Sequence, residues 1–206
     1  MMAKSTLQNR NISYGEKRTF GGLEAIAIRR RLKQALDLLR DISIQAPTAY
    51  VLELGCGFWG SNLITMEAVF PAMSFTGVDL SVSKDVSHIE LIEANVSSWT
   101  PNRQFDVVLS LAVVEHLPDP QHHFGLLADC VKDAGRIGLT TPTPKSHFVL
   151  KVLSRLGIFD RSEIDDHKCY LTESGIQTLA DISRLTIEEL YTFSFGLNQW
   201  ALMRKK

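Results

Sequence analysis

Three closely spaced glycines follow an apolar run in Val51-Leu52-Glu53-Leu54-Gly55-Cys56-Gly57-Phe58-Trp59-Gly60, and Asp79 ends the next such run, Phe75-Thr76-Gly77-Val78-Asp79. Glycines let a backbone approach a ligand with no Cβ in the way, and the helix start behind them offers unpaired N–H groups. A carboxylate at the tip of the neighbouring strand can accept from both hydroxyls of a ribose. Together these residues offer a pocket for an adenosine cofactor, with Gly55, Cys56 and Gly57 as its loop and Asp79 as its ribose anchor. The plainer role for Asp79 is to cap a short helix.

Glu53 selects among adenosine cofactors. Gly55, Gly57 and Gly60, with Asp79 nineteen residues beyond, satisfy the dinucleotide fingerprint. A carboxylate two residues before the first glycine would, however, meet the pyrophosphate of a nicotinamide dinucleotide as a like charge. S-adenosyl-L-methionine brings a sulfonium and an α-ammonium to that end, and a carboxylate there favours it. An NAD-dependent oxidoreductase is the less favoured alternative, and Glu53 as a solvated strand end is the structural one.

Further motifs follow in order. The segment Phe105-Asp106-Val107-Val108, continued by Val114-Glu115-His116-Leu117-Pro118-Asp119-Pro120, and then Ala134-Gly135-Arg136-Ile137-Gly138-Leu139-Thr140-Thr141-Pro142, resemble the fourth and fifth strands of class I S-adenosylmethionine-dependent methyltransferases, in the small-molecule branch that includes ubiquinone-type O-methyltransferases. The resemblance implies an α/β, Rossmann-like fold with a seven-stranded, mostly parallel sheet, an antiparallel last strand and helices on both faces. It implies an enzyme that moves a methyl group from S-adenosyl-L-methionine to a small-molecule acceptor, a hydroxyl oxygen, leaving S-adenosyl-L-homocysteine. By the same resemblance Asp79 holds the ribose, Asn95, Val96 and Leu80 the adenine, and Glu53 with the loop the methionine end, with Leu111 and Ala112 on the same crevice. Two positions depart from the family pattern: Trp59 stands where a third glycine is usual, and Asn95 where Asp is common. Asn95 keeps a carbonyl acceptor, and its alternative is a turn residue. A cofactor-binding but non-catalytic partner protein is the rival from another functional class.

Methyl transfer to a hydroxyl calls for a base. His116 follows the fourth strand beside the expected methyl position, and an imidazole titrates near neutrality. Its alternative is to tether the loop. His147 and Phe148, in an amphipathic helix expected over 147–156, are candidates to line the acceptor pocket, while the plain reading packs the apolar face of that helix on the sheet edge. His122 and His123 lack companions at a metal spacing, so no metal is expected.

Composition agrees. The 206 residues fit one structural domain: an N-terminal arm and cap helix over 1–45, then a methyltransferase domain over 46–206 with a lid-like insertion at about 143–170. With 22 basic and 23 acidic residues the net charge is −1, without the basic surplus of a nucleic-acid binder. Cys56, Cys130 and Cys169 are odd in number and lack C-x-x-C spacing, which fits a reducing cytoplasm. No apolar stretch reaches the ~18 to 20 residues of a membrane span.

Periodicity places the elements. Helices are expected over 22–42, 61–70, 120–133 with Gly135 closing the last, and from the Thr172 cap to 182; strands over 50–54, 73–79, 89–92, 105–111, 136–140, 185–193 and 198–203. The connection after Asp79 is too short for a full helix. Arg29, Arg30, Arg31 and Lys33 crowd the middle of the first helix. They read as a solvated face or as a grip for an anionic substrate or lipid surface.

Overall fold

A computed structural model describes residues 22–86, 89–146, 149 and 168–206. Residues 1–21, with Tyr14 and Phe20, and residues 147–148 and 150–167, with His147, Phe148 and most of the expected insertion, lie outside the described residues. Helix α1 spans Gly22–Gln45, followed by β1 (Tyr50–Leu54), α2 (Ser61–Val69), β2 (Ser74–Asp79), β3 (Glu90–Glu93) and β4 (Phe105–Leu111). A short 3-10 turn, Val114–His116, leads to α3 (Pro120–Cys130), β5 (Val131–Pro142), α4 (Glu173–Ile182), β6 (Leu185–Phe193) and β7 (Asn198–Lys205).

The seven strands form one sheet in the order β3-β2-β1-β4-β5-β7-β6. β7 runs antiparallel between β5 and β6, and the pairs from β3 through β5 are parallel. All strands but β7 therefore end on one edge, the carboxyl edge. Because β1 and β4 are covered on both faces, they read as continuous apolar runs rather than alternating ones. One face packs Ala35, Leu38 and Leu39 of α1 and Leu63 and Met66 of α2; the other packs Phe124 and Leu127 of α3 and Ile176 and Ala180 of α4. As the short connection requires, no helix occurs among the described residues between β2 and β3.

The local signals explain most boundaries. Asp119 caps α3, its carboxylate accepting from His122 N at 3.0 Å with Pro120 in the first turn. Thr172 caps α4 by accepting from Gly175 N at 3.0 Å. The expected end of α3 is corrected: the helix stops at Cys130 and β5 begins at Val131. Phe105 pairs with Val131 but Val107 pairs with Arg136, so residues 132–135 bulge from the ladder. Gly135 belongs to that bulge and has no helix-closing role. A Cβ there would lie 2.8 Å from Asp106 O and 2.7 Å from a Val131 methyl.

Candidate functional site

The carboxyl edge brings the glycine loop and the tip of β2 together. Gly55 N donates to Val78 O at 2.8 Å, and both Gly55 (φ 75°) and Gly57 (φ 73°) adopt the left-handed conformation that favours glycine. Where a Cβ would stand on Gly57 there is nothing within 4 Å. Asp79 turns back onto this loop, and its Oδ2 accepts from Gly57 N at 2.8 Å. Its other oxygen has no protein donor among the described residues, and no helix follows for it to cap.

Glu53 lies directly behind the loop, wholly buried between Gly77 of β2 and Leu109 of β4. It is not a solvated strand end. Asn62 Nδ2 donates to Oε1 at 2.8 Å, whereas Oε2 is buried with no partner. Burial, aided by the Asp79 charge, pushes its carboxyl up to about 7 against the pull of the Asn62 hydrogen bond. A buried carboxylate with an unspent oxygen suits a cation and repels a phosphate. That oxygen and the open space at Gly57 fit an adenosine cofactor with a cationic end. The Cys56 thiol, pushed up mainly by burial and further by Glu53 and Asp79, is inert and serves as a small loop residue.

At the end of β3, Asn95 is a turn residue. Its Oδ1 accepts from Ser97 N at 2.9 Å and its backbone O from Ser98 and Trp99 N at 2.9 Å. One lone pair of that side-chain carbonyl stays available. Leu80 is exposed at the tip of β2 and Val96 is buried. A cavity of about 220 Å³ opens beside Val96, lined also by Ser97, Leu117, Asp119 and His123.

At the end of β4, Leu111 is buried and Ala112 is held at φ 61°, its N–H donating to Thr140 O at 3.0 Å. A non-glycine residue in this region stores strain of the kind that clusters at ligand sites. His116 closes the 3-10 turn, half-buried, with its N–H on Val113 O. Glu115 beside it is fully buried, and Thr141 Oγ1 donates to its Oε2 at 3.3 Å. Burial raises its carboxyl to about 7, with Arg31 and Thr141 drawing it back. Its backbone O accepts from Lys168 N at 2.7 Å, which ties residue 168 to the turn after β4.

Two residue sets take places here that the sequence did not indicate. Glu115 was visible as part of the motif around His116, but its burial was not. His123 and Ser110 form the second: the imidazole is buried, its Nε2 lies 2.9 Å from Ser110 Oγ, and burial lowers its pKa to about 4. The signal was its register with Leu127 and Cys130 on the apolar face of α3. Among the described residues no group of three His, Cys, Asp or Glu side chains could hold a metal ion, and no helix is long and apolar enough to cross a membrane.

Comparison with known proteins gives the family and the fold. The family model of a methyltransferase domain matches residues 25–188. A trans-aconitate 2-methyltransferase of Rhodopseudomonas palustris is 29% identical over 118 residues, covering 54% of this chain and 45% of that protein. The chain thus spans about half the length of the curated relatives it matches. The plantazolicin methyltransferase BpumL, solved with a desmethyl plantazolicin analog and SAH, superposes with TM-score 0.68 at 14% identity, covering 85% of each chain. Magnesium protoporphyrin IX methyltransferase from Synechocystis, solved with bound SAH, gives TM-score 0.64 at 17% identity over 94% of this chain and 91% of that one. With the larger part of its length matched, the chain belongs to the methyltransferase-domain family.

Proposed function

We propose that this protein transfers a methyl group from S-adenosyl-L-methionine to the hydroxyl oxygen of a small molecule, leaving S-adenosyl-L-homocysteine. The observation that carries the reading is the wholly buried Glu53 with one unpartnered oxygen behind an open glycine loop. Glu53 with Gly55, Cys56 and Gly57 would hold the methionine end, the second oxygen of Asp79 the ribose, and Leu80, Asn95 and Val96 the adenine. A dinucleotide pyrophosphate finds no favourable partner in that carboxylate.

When bound, the cofactor supplies a methyl carbon already activated by its sulfonium. The chain's residues then exclude water, align the acceptor oxygen and receive its proton. His116, on the turn that leaves β4, would take the proton that the acceptor hydroxyl loses on methylation. Glu115, fixed by Thr141, holds the turn beneath it. Relatives named for trans-aconitate and structures named for other small molecules support a small-molecule acceptor.

The test is kinetic. The His116→Ala enzyme should lose about 10²- to 10⁴-fold in kcat, the range for removing a general base, while binding S-adenosylhomocysteine with unchanged affinity by calorimetry. Undiminished turnover would remove His116 from the mechanism. Tighter binding of NADH than of S-adenosylhomocysteine by the wild type would overturn the cofactor assignment.

A further inference from the structure

The basic run of α1 divides into two parts. Lys33, the distal member of the run, pairs with Asp37, which also takes Arg40, so the Lys33 charge is met within the helix. Arg30 has no acidic partner among the described residues; its guanidinium lies over the ring of Phe195 at 5.3 Å. Tyr191 donates from its hydroxyl to Gln34 Oε1 at 2.6 Å, and this contact lays α1 along the β6–β7 hairpin. Arg31, the next residue, lies close enough to Glu115 to favour its ionised form. Arg30 therefore sits at the carboxyl edge, where α1 passes between the hairpin tip and the turn carrying His116.

The hairpin tip is built at a cost. Ser194 (φ 53°) and Phe195 (φ 60°) are consecutive non-glycine residues in the left-handed region, at roughly 1–2 kcal/mol each. Thr143 fixes them there: its Oγ1 donates to Gly196 O at 2.7 Å and its N–H to Leu197 O at 3.0 Å. The strained backbone presents Phe195, a residue 93% exposed that thus contributes almost nothing to the core. What the ring does meet is the Arg30 guanidinium. Ser194 Oγ at the same tip is buried without a partner.

We propose that Arg30, seated on Phe195, is the subsite for a carboxylate on the methyl acceptor. This rests on the methyltransferase reading above and names the class of its substrate. A guanidinium that meets an aromatic ring rather than an acid keeps its N–H donors for a ligand, and two of them form the fork a carboxylate accepts. The ring favours the guanidinium at this place through its π face. A lysine at this position would give a point charge without the orientation. Held by its carboxylate at one side, the acceptor can present its nucleophilic oxygen toward the turn at Val114–His116.

Calorimetry on the protein saturated with S-adenosylhomocysteine tests this, with benzoate and its neutral counterpart benzamide as probes. Benzoate should bind more tightly than benzamide. Arg30→Gln should weaken benzoate at least about tenfold, the scale of one charge-assisted hydrogen-bonded pair. Arg29→Gln, which removes the same charge from an exposed position on the same helix, should leave benzoate binding within about twofold. Failure of benzoate to bind better than benzamide, or equal binding by wild type and Arg30→Gln, overturns the subsite. Failure of S-adenosylhomocysteine to bind at all is a different result and strikes the cofactor reading instead.

Discussion

The two edges of the sheet are built on opposite principles. At the amino edge the strong polar groups are paired. Arg103 donates to Thr76 Oγ1 at 2.9 Å and Glu90 Oε2 at 2.6 Å while its guanidinium lies over Tyr50 and Phe105. Asp106 accepts from Tyr50 N at 2.8 Å with one oxygen and from Lys132 Nζ at 2.8 Å with the other. The carboxyl edge holds all four buried polar side-chain atoms that lack a partner among the described residues. Three are Glu53 Oε2, Thr140 Oγ1 and Ser194 Oγ, at the ends of β1, β5 and β6; the fourth is His123 Nδ1, at the start of the helix that leaves β4. Left-handed residues follow the same division: Gly55, Gly57, Gly60, Ala112, Ser194, Phe195 and Gly196 lie at the carboxyl edge, with Arg184 the exception. Buried groups left unsatisfied cost stability, and here the cost is confined to the edge where a ligand can offset it.

That contrast can be broken at three points. The largest effect belongs to Asp79→Ala, which should weaken S-adenosylhomocysteine binding by about 100-fold or more through loss of the charged acceptor for the ribose. Its melting temperature should move by only a few degrees, because the side chain makes one hydrogen bond to Gly57 N.

A pH experiment on Glu53 comes next. Its folded pKa, about 7, lies above the unfolded carboxylate value, so the stability it contributes is present below pH ~4.5 and is lost as pH rises through 7. Glu115, also raised to about 7, has the same sign. A cationic ligand favours the ionised form of Glu53, so affinity for S-adenosylmethionine should fall by up to about tenfold per pH unit below 7. Glu53→Gln should flatten that dependence and melt higher than wild type at pH 8, while binding the cofactor more weakly. A Glu53→Gln protein that keeps the wild-type pH profile would sink the assignment.

The smallest effect is expected at the opposite edge. Arg103→Ala should cost about 1–2 kcal/mol in denaturant unfolding through its lost hydrogen bonds and ring contacts. Cofactor affinity should stay within about twofold, since exposed charges remote from a site contribute little to it. A large loss of binding in this variant would show that the two edges are coupled.

The sequence exposed the regular parts of this contrast better than the tertiary ones. Strands such as 105–111 and 185–193 emerge as expected because their apolar content and bounding turns are local properties. The turn of the glycine loop was legible because the left-handed backbone at Gly55 and Gly57 demands that residue type. The bulge at 132–135 was not, since it depends on Asp106 O approaching Gly135 across the sheet. Asn95 offered two uses from sequence, and only the hydrogen bond from Ser97 N shows the turn in place. Glu115 and the Ser110–His123 pair depend on burial between elements far apart in the chain. The meeting of α1 with the β6–β7 hairpin was least legible, because the Tyr191–Gln34 and Arg30–Phe195 contacts join residues far apart in the chain.

The insertion of β7 between β5 and β6 has a consequence for synthesis. Both neighbours leave the ribosome before the strand that joins them, so β6 has no place in the sheet until residues 198–205 have been made. A nascent chain halted before that point would expose two unpaired strand edges, and chaperone engagement should concentrate there.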